Sequence, residues 1–242
     1  SFTDETAINY RNGGWDKELP GIWVSKYEAG YAGVGSITSV EAKESNLTYT
    51  GTCAGSNIYG SITSGTTKIK YPVFLPNAYS YNYINMGDSY AICRALGESG
   101  NPYGLTSGSE AHLMKNSEWG AVAYLTQSKY GRNGVEITIN NKNLNNNPST
   151  IYAVTGYSNG TNNTYETSNG QLASTTGNLY GVYDMSGGAW ERTAGYLNND
   201  NGNLKTYGKS MTDLNNDGNV DKEATKYIAI YKKSDSRRYK YK

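Results

Sequence analysis

The sequence predicts an α+β fold: two helices, each following short β-like segments, joined by long loops. Three observations predict it. Helix caps and helical apolar spacing occur at Ser89 to Leu96 and at Ser117 to Tyr130. Short β-like runs precede each of these stretches. Segments rich in Gly, Asn, Ser and Thr fill much of the remainder, and long loops inside a folded domain usually carry function.

In order, Ser1 to Pro20 is polar, with a Gly-Gly turn and Trp15, and Ile22, Val24 and Tyr27 mark the first strand. Gly30 to Gly65 reads as loops and edge strands, with Leu47 to Tyr49 as one short β-like run. Lys68 to Leu75 is strand-like but interrupted by Pro72, which cannot donate to a ladder. Asp88 is placed as the cap of the first helix, whose apolar residues are Ile92, Ala95 and Leu96 and whose stop is Gly97. Asn116 is placed as the cap of the second, with Glu118 favoured in the first turn by the helix dipole. Trp119, Val122, Ala123 and Thr126 share one face, with Leu125 beside it, and Gly131 ends the helix. Asn140 to Gly170 reads as a binding or insertion loop.

The 242 residues suffice for a sizeable core and are read as a single domain, 1–242. Only 18% are Asp, Glu, Lys or Arg, so Asn, Ser, Thr, Gly and the 24 Tyr must make much of the surface. Tyr and Asn suit adaptable contact surfaces, and equally Tyr suits half-exposed strands. A net charge of +1 gives no electrostatic case for nucleic acid. No apolar run is long enough to span a membrane. The chain opens at Ser1 without a signal peptide and is read as a mature or trimmed ectodomain. Cys53 and Cys93 are either a disulfide, worth about 4 kcal/mol in the chain-entropy picture, or two separate buried thiols.

Two stretches have oxygen ligands at cation spacing. In Asn178 to Glu191, "NLYGVYDMSGGAWE", Asp184 and Glu191 flank Gly187 and Gly188, whose backbone can approach an ion closely. Calcium takes such mixtures of carboxylate and carbonyl; the same residues would also make a core hairpin corner with Met185 and Trp190 packed inside. In Asp213 to Glu223, "DLNNDGNVDKE", Asp213, Asn215, Asp217 and Asp221 hold EF-hand positions one, three, five and nine, but the twelfth is Ala224.

The stretch "NLYGVYDMSGGAWE" also resembles the signature of the formylglycine-generating enzyme (sulfatase-modifying factor) family, a variant of the C-type lectin fold. "HLMKNSEWGAVAYLTQSKYG" at His112 to Gly131 resembles a helix of a bacterial branch of that superfamily, and "GIWVSKYE" at Gly21 to Glu28 its opening strand. The resemblance implies a C-type-lectin-like domain, two helices against small, irregular antiparallel sheets with long loops, with Trp119 and Trp190 buried. It implies a structural calcium held by Asp184, Gly187, Ala189 and Glu191, although Gly188 stands where the family has Asn and Arg192 where it has a second Trp. The family's copper-binding cysteine pair near the C-terminus has no counterpart, since both cysteines lie in the N-terminal half. With no catalytic pair, the chain is expected not to be an enzyme. His112, the single histidine, is expected to be structural.

The bacterial branch resembles secreted or surface proteins and retroelement-diversified variable proteins. These continue into an Arg-Gly-Gly element and a final strand, whereas this chain ends in "SDSRRYKYK". The domain is thus expected to lack its closing segment, which an assembly partner would supply, and the basic end from Lys232 to Lys242 reads either as a solvated, trimmed loop or as a polyanion-binding one. The expected function is an extracellular or cell-surface binding or adhesion module, bacterial or phage-associated, for a protein or glycan. Its expected contact residues are Tyr79, Tyr81, Tyr83, Tyr152, Tyr157 and Tyr165. The alternatives are a subunit of an extracellular filament or phage particle, and a divergent oxidase of the formylglycine-generating type.

Overall fold

The computed structural model describes residues 19–31, 61–64, 67–76, 78, 80–81, 84–140, 154–158, 163–198, 211, 217 and 226–232. Its elements are β1 (Gly30–Tyr31), β2 (Ser61–Ser64), β3 (Thr67–Lys70), β4 (Pro72–Val73), α1 (Met86–Ala95), a 3-10 turn (Ser107–Ser109), α2 (Asn116–Gln127), α3 (Ser168–Gln171), β5 (Gly195–Asn198) and β6 (Ala229–Lys232). The fold is α+β, with few helices and two-stranded sheets. β1 pairs antiparallel with β4, β2 antiparallel with β3, and β5 parallel with β6. Among the described residues no helix is long and apolar enough to cross a membrane.

The contacts group the chain into two compact units. One holds Ser1–Ile22, His112–Ala121 and Arg192–Lys242; the other holds Trp23–Ala111 and Val122–Glu191. The boundary falls inside α2.

In the larger unit, the hairpin β2–β3 packs on α1. Ile69, Tyr71, Ile84, Ile92 and Leu96 form the buried cluster, with Ile62, Phe74, Tyr81 and Cys93 against it. The run expected as one strand from Lys68 is split at Tyr71, so that β3 and β4 pair with different partners. α1 begins three residues earlier than Asp88 predicts. Asn85 caps it, its side chain accepting the Asp88 N–H at 2.8 Å, and Asp88 sits in the first turn, where an acid favours the helix dipole. The strand expected at Ile22 to Tyr27 does not form: 21–25 run outside any ladder, and the first pairing among the described residues is at Gly30.

α2 lies where the spacing predicts it, but Lys115 rather than Asn116 takes the cap position. The Lys115 carbonyl accepts the Trp119 N–H at 3.0 Å, while its N–H donates to Glu118 Oε2 at 2.7 Å. Glu118, Val122 and Thr126, four residues apart, form its buried stripe; Leu125 faces solvent.

The smaller unit is built around β5 and β6. Ala194, Ile228 and Ala229 are fully buried there, and the Ala229 N–H donates to the Ala194 carbonyl at 2.8 Å. His112 Nε2 lies 3.0 and 3.2 Å from the two oxygens of buried Glu118, and its ring stands 5.5 Å from that of Tyr227.

Candidate functional site

The larger unit brings four distant segments to one corner. The Lys26 carbonyl accepts the Tyr183 N–H at 2.8 Å, which lays 26–28 along 183–184. Asn140 bridges Gly187: its N–H donates to the Ser186 carbonyl and its carbonyl accepts the Gly188 N–H, each at 2.8 Å. Ser80 is held by its bridge to Gly30.

The turn that makes the corner is left-handed at three residues. Asp184 has φ 67°, Gly187 φ 85° and Gly188 φ 75°. A Cβ on Gly187 would come within 2.3 Å of the Asn140 carbonyl oxygen, and one on Gly188 within 2.9 Å of Glu28 Oε2. The two glycines therefore meet a steric demand as well as a conformational one.

Asp184 is only 1% exposed and is closely solvated by the chain. Its Oδ1 accepts from Asn140 Nδ2 and from the Gly156 N–H, both at 2.9 Å, and its Oδ2 accepts from the Glu28 N–H at 3.2 Å. Burial raises its pKa, opposed by the donors from Gly156, Asn140 and Glu28. Glu28 places Oε2 at 2.7 Å from the Ser80 hydroxyl and 3.4 Å from the Ala189 N–H, both of which donate to it. Burial pushes its pKa up to about 8, with Asp184 and Glu191 adding to the rise. Among the described residues no cationic side chain forms an ion pair with Glu28 or Asp184. Asn140 is 4% exposed; its Nδ2 also donates to the Val154 carbonyl at 2.8 Å, while its buried Oδ1 has no hydrogen-bond partner.

Beside the corner, Tyr27, Tyr165 and Tyr183 form a second cluster with Ala173. Lys26 Nζ stands 5.5, 5.9 and 5.8 Å from the centroids of Tyr27, Tyr165 and Tyr183, so the chain's own ammonium occupies the aromatic faces.

The residues expected from the sequence divide. Asp184 points into the corner. Gly187 is bound to Asn140, and Ala189 turns its N–H toward Glu28. Glu191 is exposed. Trp190, expected to be buried, is 95% exposed; it lies two residues past the left-handed Gly188, outside the turn's packed side. Trp119 is half-buried. Tyr157, expected in a contact surface, is 4% exposed, and Tyr81 and Tyr165 are half-buried against the two clusters. Cys93 is a free thiol rather than half of a disulfide; it packs against the α1 cluster, and burial pushes its pKa up to about 12. Asp217 is exposed. Asp213, Asn215, Asp221, Tyr79, Tyr83, Tyr152 and Cys53 lie outside the described residues.

Sequence reasoning missed Glu28, Ser80 and Asn140. Glu28 lies in a stretch read only as a strand, and nothing local in the sequence marks Asn140 as a neighbour of Asp184, 44 residues on.

The corner's donor set suits a hard cation: two carboxyl groups without an ion-paired cation among the described residues, an amide oxygen lacking a donor, and a turn whose glycines let the Asn140 backbone and Glu28 Oε2 approach closely. No three His, Cys, Asp or Glu side chains gather as a metal set among the described residues. Compared with protein-family models, curated proteins and solved structures, the chain finds no match.

Proposed function

We propose that this protein is an extracellular, non-enzymatic binding or adhesion module on a C-type-lectin-like scaffold, with a structural calcium at the Gly187–Gly188 corner. The observation that carries the reading is the pair Tyr180 and Trp190. They lie in the segment that builds the corner, yet Tyr180 is 88% and Trp190 95% exposed. Large rings cost free energy in water and gain it against a ligand, and they freeze few rotors on binding. Trp23, Tyr124 and Tyr130 add further exposed rings in the same unit. A glycan or a protein surface is the partner chemistry such rings fit. In this reading calcium, bound to the folded chain, stiffens the turn that carries the rings.

The test is a binding screen of the purified protein against arrays of glycans and of extracellular proteins, repeated with Tyr180→Ala and Trp190→Ala. Loss of a dissociable ligand in both variants, at unchanged melting temperature, supports the reading. Copper-dependent oxidation of a cysteine peptide by the protein would overturn it in favour of an oxidase.

A further inference from the structure

The geometry points to Glu28 and Asn140, together with Asp184, as the side-chain ligands of the cation at the Gly187–Gly188 corner, in place of Glu191. The inference rests on the calcium reading and specifies which of this chain's residues serve it.

Asn140 supplies the first argument. Its amide lies against the Asp184 carboxylate, with Nδ2 2.9 Å from Oδ1, and its Oδ1 is buried without a partner. A buried amide oxygen left unmade is costly. Nearly every buried polar atom in a folded protein is satisfied by chain, water or ion. A cation beside Asp184 would satisfy this one.

Glu28 supplies the second. Its backbone N–H is bound to Asp184, and its carboxyl lies over Gly188, where even a Cβ would be too close. A buried acid, Asp184, and a half-buried one, Glu28, thus meet at one corner, with no cationic side chain ion-paired to either among the described residues. Ser80 and the Ala189 N–H each donate to a single oxygen, Oε2. No described donor engages Oε1, which leaves it available to an ion. Glu191, by contrast, is exposed in the same turn. A ligand set of a half-buried glutamate, a buried aspartate and a buried amide oxygen excludes water better than one closed by a surface acid.

The test uses calcium itself, by titration calorimetry, and terbium, whose emission is sensitised by nearby tyrosines; Tyr27 and Tyr183 adjoin Glu28 and Asp184 in the sequence. Glu28→Gln keeps the shape and the acceptor for Ser80, so it should fold in chelator as well as the parent does. It should bind calcium about tenfold or more weakly, since ligand charge sets the affinity of such sites. Asn140→Asp replaces the amide donor by a second charge beside Asp184. It should melt below the parent in chelator and regain stability with calcium, an ion-dependent rescue that a purely structural amide would not give. Glu191→Gln should bind like the parent. Binding lost in Glu191→Gln and kept in Glu28→Gln would overturn the ligand assignment and leave the calcium reading standing. A parent protein that binds neither ion would overturn both.

Discussion

The backbone N–H of Glu28 donates to the Asp184 carboxylate at 3.2 Å across 156 residues of chain. This contact ties the start of the larger unit to its end, and it sets one carboxyl beside another.

Desolvation of these carboxyls makes stability depend on pH. The Glu28 carboxyl is raised from 4.5 to about 8, and Asp184 is raised as well, so the folded chain holds protons that the unfolded chain releases. The sign follows by linkage: this stability is fully present below pH 4.5 and is lost as pH rises through about 8. Without added metal, denaturant midpoints should fall between these limits, and Glu28→Gln should flatten the fall. A midpoint that rises with pH across the window would contradict the burial of Glu28.

Glycine substitutions should rank by what their Cβ meets. Gly188→Ala places it against the flexible end of Glu28, whereas Gly187→Ala drives it into the Asn140 backbone. Both also incur about 1–2 kcal/mol for a left-handed L-residue. Gly187→Ala should therefore be clearly the more destabilising in chemical denaturation, and equal effects would count against the bridge.

Trp190→Ala should change stability by about 0.5 kcal/mol or less, as at other exposed positions, while abolishing ligand capture. A large loss of melting temperature would restore the packing role that the family resemblance implies for this ring.

Cys93 should resist alkylation in the native protein, because burial suppresses its thiolate. Peptide mapping after iodoacetamide treatment should find it labelled chiefly on unfolding. Rapid native labelling, or a linked Cys53–Cys93 peptide, would contradict its place in the α1 cluster.

The helices are legible in the sequence because caps and apolar spacing are local. Even so, Asn85 takes the α1 cap from Asp88, since the same short acid serves as well in the first turn. The Gly187–Gly188 turn is legible too, and so is the inward acid Asp184. The outward direction of Trp190 is not. It depends on successive left-handed residues, which residue identity alone does not order in space. Glu28 and Asn140 are illegible for a different reason. Their neighbours are set by chain crossings 156 and 44 residues apart, and no periodicity spans such distances. Tyr157 escapes sequence reasoning because Tyr serves buried clusters and contact surfaces equally well.

A crystal structure of the protein grown with calcium, using the anomalous signal to place the ion, tests the cation corner most directly. One calcium should lie about 2.3–2.6 Å from oxygens of Glu28, Asp184 and Asn140, with Glu191 outside the coordination sphere. A corner without anomalous signal, in which Asp184 keeps only its N–H donors, would contradict it.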